Sequence, residues 1–330
     1  MRRLLTLFLI IFSLDVSGQT IKGQILVYGS EEALSNANVY YDGGYRGVIS
    51  DSTGHFQLEP MSTGKKPIII SAVGYHSTLI ADYTSEEFLK VYLEPKTYSL
   101  DGVVVTYDGM SREEKEAIFK AEFLGISENA RECEILNIDD VTLVYNSRRK
   151  TIEATAEEPI ILLNKALGFK ITYYLEAFKY SPGNIYFSGN YFFEPDSTLE
   201  KKELNRVERK RKQAYFGSRM HFIRALYEDR LTKEGFRLLN MFDRDQDFSG
   251  LVVDGEKGRS IFMKSRLVVI YKANQGALTF LDKNKDFTRI DKSGYHDPMG
   301  ITWSGSMANQ RMADLLPFEY QPDARKEDRN

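Results

Sequence analysis

Hydrophobic and polar positions change period partway along this chain. From Thr20 to Thr106 they fall into short runs rich in β-branched and aromatic residues: Ile21 to Tyr28, Ala37 to Tyr41, Tyr45 to Ser50, His55 to Leu58, Pro67 to Val73, His76 to Ile80 and Phe88 to Leu93. Gly, Asn, Asp, Ser or Pro separate them, so each run reads as a strand. Alternation is clearest at Phe56 and Leu58, and at Val91 and Leu93 with Lys90 and Tyr92 facing the other way. Seven strands so closely spaced predict a β-sandwich over residues 20–106, each sheet buried on one face. Within it, Val48 to Tyr75 reads as strand, turn, strand, loop, strand, with Asp51 capping the turn and Gly54 taking the φ > 0 at its end.

Helical spacing then appears. Ser111-Arg112-Glu113-Glu114 is a capping box, Ile118, Ala121 and Leu124 recur on one face, and Gly125 supplies a stop, which leaves Thr106 to Met110 as a linker. Strands follow at Asp140 to Tyr145 and Thr151 to Thr155, and a hairpin runs from Ala166 to Tyr180, through Ser181-Pro182-Gly183-Asn184, to Ile185 to Phe193. Ser197 with Glu200 reads as a second capping box, opening a long helix from Thr198 to Glu228 that carries Leu204, Val207, Ala214, Phe222 and Leu226, with a bend at Gly217-Ser218. Strands at Arg259 to Lys264 and Leu267 to Lys272, and a short helix over Ser306 to Leu316 ended by Pro317, complete an α+β domain with an antiparallel sheet over residues 111–320. Residues 321–330 are polar and charged and read as a disordered tail.

Composition adds a compartment. Arg2 and Arg3, the apolar run Leu4 to Leu14, and Val16-Ser17-Gly18 have the form of a signal peptide over residues 1–18, with a mature chain starting near Gln19. That run is short of the roughly 20 residues a bilayer-spanning helix needs, and no later segment reads as one. The single cysteine, Cys133, leaves no intrachain disulfide and no lipid-attachment cysteine after the cleavage position, so the expectation is an exported protein of the periplasm or outer membrane that is not a lipoprotein. Beside Ile135 and Leu136, Cys133 reads as a small hydrophobe, with a reactive thiol as the alternative. A net charge of −3 excludes nucleic acid as an electrostatically driven partner. The basic face of the long helix, including Lys201, Lys202, Arg206, Arg209 and Lys210, is interrupted by Glu203 and Glu208 and reads as solvated.

I-K-G-Q-I at Ile21 to Ile25, A-L-S-N-A-N-V at Ala33 to Val39, D-S-T-G-H-F-Q-L at Asp51 to Leu58 and S-A-V-G-Y at Ser71 to Tyr75 together resemble the carboxypeptidase-regulatory-like domain. The resemblance implies a transthyretin-like sandwich, a domain that in Gram-negative bacteria commonly precedes TonB-dependent outer-membrane transporters. Leu100 to Thr106 resembles the segment that links the two. Too few alternating segments follow for a transmembrane barrel, so only an association with that machinery is implied. Ala214 to Tyr227 and Met312 to Tyr320 resemble segments of uncharacterised exported proteins that join this sandwich to a second domain of unknown function.

Catalytic signatures are missing. A zinc carboxypeptidase needs His with Glu three residues on, but Leu58, Leu79, Arg224 and Met299 follow His55, His76, His221 and His296 at that distance. G-x-S-x-G, G-x-x-x-x-G-K-[ST] and H-E-x-x-H are also absent, so no catalytic, cofactor-binding or metal residue is assigned. Asp243, Asp245 and Asp247, with Ser249 and Asp254, have an EF-hand-like spacing that Phe248 spoils where Gly is required; Asp282, Asn284 and Asp286 are a weaker echo. The expectation is a non-catalytic envelope protein that binds a protein partner, in particular a TonB-dependent transporter. One alternative is a glycan-binding protein that uses the aromatic hairpin from Tyr173 to Phe193, although core packing explains those rings better. A second alternative is a hydrolase of unrecognised type.

Overall fold

A computed structural model describes residues 20–61, 66–84, 86–96, 109–240, 250–255, 258–272 and 278–322. The signal-like N-terminus, Leu100 to Thr106, the aspartates Asp243, Asp245 and Asp247, and most of the tail lie outside the described residues. All seven expected N-terminal strands form: β1 Ile21–Val27, β2 Asn38–Tyr41, β3 Gly47–Ile49, β4 His55–Leu58, β5 Ile68–Ser71, β6 Thr78–Ile80 and β7 Phe88–Leu93. They make two sheets, β4-β1-β7 and β3-β2-β5-β6, whose inner faces share a core that includes Ile25, Val39, Phe56, Ile68, Ile70 and Val91. The turn before β4 closes as its residues require. Asp51 Oδ1 accepts from the amides of Thr53 at 2.8 Å and His55 at 2.9 Å, and Gly54 sits at φ 75°.

The chain continues through α1 Arg112–Leu124, α2 Glu128–Arg131, β8 Cys133–Ile135, β9 Val141–Asn146, β10 Thr151–Ala156, β11 Ile160–Asn164, β12 Phe169–Ser181 and β13 Asn184–Pro195. These strands form one antiparallel sheet in the order β8-β11-β12-β10-β9, with β13 hydrogen-bonded to β12. The Ser111–Glu114 capping box and the Gly125 stop are both in place on α1. Its buried face differs from the expected stripe: Phe119, Phe123 and Leu124 are buried while Ala121 is exposed. Phe119 and Phe123 stack at 5.1 Å and meet Phe178 and Tyr173 of β12 edge-on, so the large rings at i and i+4 set the rotation of the helix.

The expected single long helix is two helices, α3 Lys201–Tyr215 and α4 Arg219–Tyr227. Gly217 takes φ 82°, and a Cβ there would lie 2.7 Å from the Tyr271 ring; Ser218 then caps α4 by accepting from His221 N at 3.0 Å. What reads as a bend is therefore a full stop and restart. The capping box of α3 is formed by Glu200 and Glu203 rather than by Ser197 and Glu200. Its basic face is also less solvated than expected: Arg206 pairs with Glu132 at 2.6 Å, Lys210 pairs with Glu128 at 2.9 Å, and Arg211 donates to Leu167 O at 2.8 Å.

Beyond α4 lie β14 Phe236–Asn240, β15 Val252–Gly255, β16 Gly258–Phe262, β17 Leu267–Tyr271, β18 Thr279–Lys283, β19 Phe287–Arg289 and β20 Ile301–Gly305, in sheets β14-β17-β18-β20 and β15-β16-β19. The expected helix over Ser306 to Leu316 is two 3-10 turns, Ser306–Asn309 and Met312–Asp314. Two apolar cores result. α4 packs with β14, β17 and β20, whereas Met312, Ala313, Leu316 and Tyr320 return to the core of α1 and the β12 sheet.

Two glycines with nearly equal φ separate backbone strain from crowding. A Cβ at Gly54 would lie 2.4 Å from Ile25 O, whereas one at Gly183, in the β12–β13 turn at φ 81°, meets open space. Gly183→Ala should cost about 1 kcal/mol from the left-handed conformation alone, and Gly54→Ala more than about 2 kcal/mol because strand β1 must also move. Urea unfolding of both variants measures the difference, and equal losses would contradict the close approach at Gly54.

Candidate functional site

Strand β5 carries no alternation. Ile68, Ile69, Ile70 and Ser71 are all buried, as in a sheet covered on both faces. Ile68 and Ile70 point into the sandwich core, while Ile69 pairs across the ladder with Tyr40 of β2 on the outer face. That outer face is covered by β12 and β13. The Tyr40 ring lies 4.1 Å from Phe192 and 6.3 Å from Tyr174, and the Tyr174 hydroxyl donates to Ser71 Oγ at 2.7 Å. The aromatic hairpin is therefore spent on α1 on one side and on the sandwich on the other, and of its rings only Tyr186 is largely exposed, at 51%.

The turn between β2 and β3 plugs into this seam through its backbone. Gly43 N donates to Tyr191 O at 2.7 Å, Phe193 N to Gly44 O at 2.8 Å, and Phe318 N to Gly43 O at 3.0 Å. The Glu319 carboxylate accepts from the amides of Tyr45 and Arg46. Gly43, at φ 68°, and Gly44 permit the approach: a Cβ would lie 2.5 Å from the Phe318 ring at the first and 2.7 Å from Glu319 Oε1 at the second. Asp42-Gly43-Gly44 reads from sequence only as a turn, and the glycine pair is the signal that another backbone comes close.

A charge is enclosed beside the turn. Lys66, 1% exposed, places its ammonium 2.7 Å from Asp291 Oδ2 and 4.2 Å from the ring centres of both Tyr295 and Phe318. This ion pair backed by two aromatic faces links the sandwich to the C-terminal part of the chain. Half-buried Asp42 is the second acid. Its Oδ1 accepts from Tyr191 N at 3.1 Å, and burial pushes its carboxyl up to about 6 against the pull of Lys66. Burial likewise lowers the Lys66 ammonium to about 8, opposed by Asp291. Next to this pair, the Trp303 indole N–H donates to His296 Nε2 at 3.0 Å, and burial lowers His296 to about 3, so the imidazole is neutral near pH 7. Arg224, buried in α4, braces the covering segment by donating to the carbonyls of Ser293, Phe318 and Tyr320.

The remaining candidates lie elsewhere. His221 is buried among Tyr215, Phe216 and Phe236; its Nδ1 accepts from Gly217 N at 3.1 Å and its Nε2 faces Glu234 at 3.2 Å. Both nitrogens are thus engaged, burial lowers its pKa, and the ring serves as the corner between α3 and α4. Burial first, and the Asp314 charge second, push the Cys133 thiol up to about 12, which opposes thiolate chemistry. Asp254 pairs with Arg259, Asp282 with Arg266 and Asp286 with Lys283, and no cluster of metal-ligating side chains occurs among the described residues.

The seam has a definite pH signature. With its native pKa raised from 3.8 to about 6, Asp42 contributes stability below pH 3.8 that is lost as pH rises through about 6. With its native pKa lowered from 10.5 to about 8, Lys66 contributes stability above pH 10.5 that is lost as pH falls through about 8. Asp42→Asn keeps an oxygen for Tyr191 N and removes the charge, so the variant should gain on the order of 1–3 kcal/mol over the parent at pH 7 and lose that advantage at pH 4. Urea denaturation at the two pH values checks it, and a difference independent of pH would contradict the raised carboxyl.

Comparison with known proteins locates the resemblance in the first part of the chain. The model of a CarboxypepD_reg-like domain matches residues 21–105. No curated protein matches. Among solved structures, a type II cohesin–X–dockerin complex from Acetivibrio cellulolyticus is 20% identical over 23% of this chain and 52% of that chain, with a TM-score of 0.18. The matched segment thus spans about half of that chain. The described part of residues 21–105 forms the two-sheet sandwich whose outer face and β2–β3 turn build the seam, and this segment is a carboxypeptidase-regulatory-like domain.

Proposed function

We propose that the protein is a non-catalytic, exported envelope protein that acts as an interaction module associated with outer-membrane nutrient uptake of the TonB-dependent kind. The observation that carries this reading is the regulatory-like sandwich itself, tied to the rest of the chain by a seam of backbone hydrogen bonds, stacked rings and an enclosed ion pair. A partner that holds the sandwich therefore holds both parts together. The seam covers the outer face of β2 and β5, while Ile49, Val73, Leu79 and Phe88 remain exposed on the sandwich for contact with another protein. The glycan reading loses support because the hairpin rings pack internally, and the hydrolase reading because both His221 nitrogens are engaged.

Crosslinking in intact cells followed by mass spectrometry tests the proposal. The expected result is recovery of an outer-membrane transporter, with Ile49→Asp and Leu79→Asp weakening the crosslink while the melting temperature stays nearly unchanged, as surface substitutions allow. Recovery of no envelope protein would sink the reading.

A further inference from the structure

Asp291 divides its carboxylate between two tasks. Oδ1 accepts from Ser293 N at 2.8 Å and from the Ser293 hydroxyl, and Ser293 is fully buried. Oδ2 is sealed from solvent and faces the Lys66 ammonium at 2.7 Å. That contact is short without being aligned as a hydrogen bond, since neither Lys66 Nζ nor Asp291 Oδ2 makes one to a described residue. A nitrogen so close to a carboxylate oxygen lies within about 4 Å of the carboxyl carbon, near the separation of about 3–3.5 Å from which a nucleophile attacks.

Both ends of the contact are held. Asp291 N donates to Tyr295 O and Gly294 N to Asp291 O, each at 3.1 Å, which closes the turn that carries the carboxylate. Arg224 Nε donates to Ser293 O at 2.8 Å and fixes the same turn from α4. On the sandwich side, the Tyr83 hydroxyl donates to Lys66 O at 2.7 Å. The rings of Tyr295 and Phe318, each 4.2 Å from the nitrogen at their centres, shield it from water. Two full charges kept from water carry a desolvation cost that an amide would not. Burial lowers the Lys66 ammonium to about 8 against Asp291, so the neutral amine is accessible near neutral pH, and the charges of Asp42 and Arg289 act on it in opposite directions.

We propose that Lys66 and Asp291 condense into an intramolecular isopeptide bond, Nζ to Cγ, with loss of one water. One ammonium proton passes to Oδ2, leaving an amine beside a carboxylic acid. The nitrogen lone pair then forms the bond to Cγ, and the charge that develops on Oδ1 is held by the two Ser293 donors, placed as in an oxyanion hole. The Cγ–Oδ2 bond breaks, and Oδ2 leaves as water with a second proton from nitrogen. Of the three ammonium protons one stays on the amide and two depart in the water, so nothing is oxidised or reduced and no co-reactant is needed. The shielding that keeps water out also protects the amide from hydrolysis. The bond would lock the sandwich to the C-terminal part of a chain whose single cysteine, Cys133, allows no intrachain disulfide. It is independent of the docking surface proposed above.

Intact mass of the purified full chain, measured under denaturing conditions, tests the proposal. The expected mass is about 18 Da, one water, below that of the sequence with the same N-terminus. Trypsin should then release one branched peptide that joins residues 66–90 to residues 290–292, because Pro67 blocks cleavage after Lys66. Lys66→Arg keeps the charge but not the primary amine, and Asp291→Ala removes the carboxyl; both should show the unshifted mass and no branched peptide. An unshifted parent mass, a water lost without the branched peptide, or a branched peptide that persists in either variant would overturn the proposal. The parent chain decides the question even where a variant fails to fold.

Discussion

The Lys66 ammonium remains mostly charged at neutral pH although almost no water reaches it, so the folded chain must replace its hydration. Asp291 supplies the opposite charge at 2.7 Å, and the faces of Tyr295 and Phe318 supply negative quadrupoles at 4.2 Å. Lys66 lies just before strand β5 of the sandwich, whereas all three partners come from the last quarter of the chain. Removing one partner of such a pair costs about 3–5 kcal/mol, while the intact pair adds little to net stability, so its main effect is to specify one arrangement of the two parts.

Other features of the seam follow from that arrangement. For Phe318 to lie over the ammonium, its backbone must pass against the β2–β3 turn, and Gly43 and Gly44 leave the room it needs. For the passing segment to keep its place, its carbonyls need donors, and buried Arg224 satisfies those of Phe318 and Tyr320. The same segment carries Leu316 and Tyr320 into the core under α1, so one stretch of chain closes both the seam and the second core.

The aromatic density of β12 and β13 is explained by having two faces to cover. Phe178 and Tyr173 meet the rings of α1, and Tyr174 and Phe192 meet Tyr40 of the sandwich. Tyr191 lies at the border between these surfaces: its ring stacks on Tyr173 at 5.8 Å, and its backbone carbonyl accepts from Gly43 N of the sandwich.

Local pattern alone determined the seven sandwich strands, the Asp51–Gly54 turn, the capping box of α1 and the β12–β13 hairpin, because each depends on residues within one or two turns of one another. The family resemblance rested on the sandwich strands and the Asp51–Gly54 turn among them. The continuous apolar run of β5 already held a sign that both of its faces are covered, but not by what. Tertiary structure decided the rest. Whether Gly217-Ser218 bends or breaks a helix depended on the Tyr271 ring, which is distant in sequence, and which side of α1 is buried depended on rings waiting in β12. The seam draws Asp42, Lys66, Tyr191, Asp291 and Phe318 from separate elements, each unremarkable in its own neighbourhood. Burial and mutual charge act through space, so only the folded chain could turn these residues into a site.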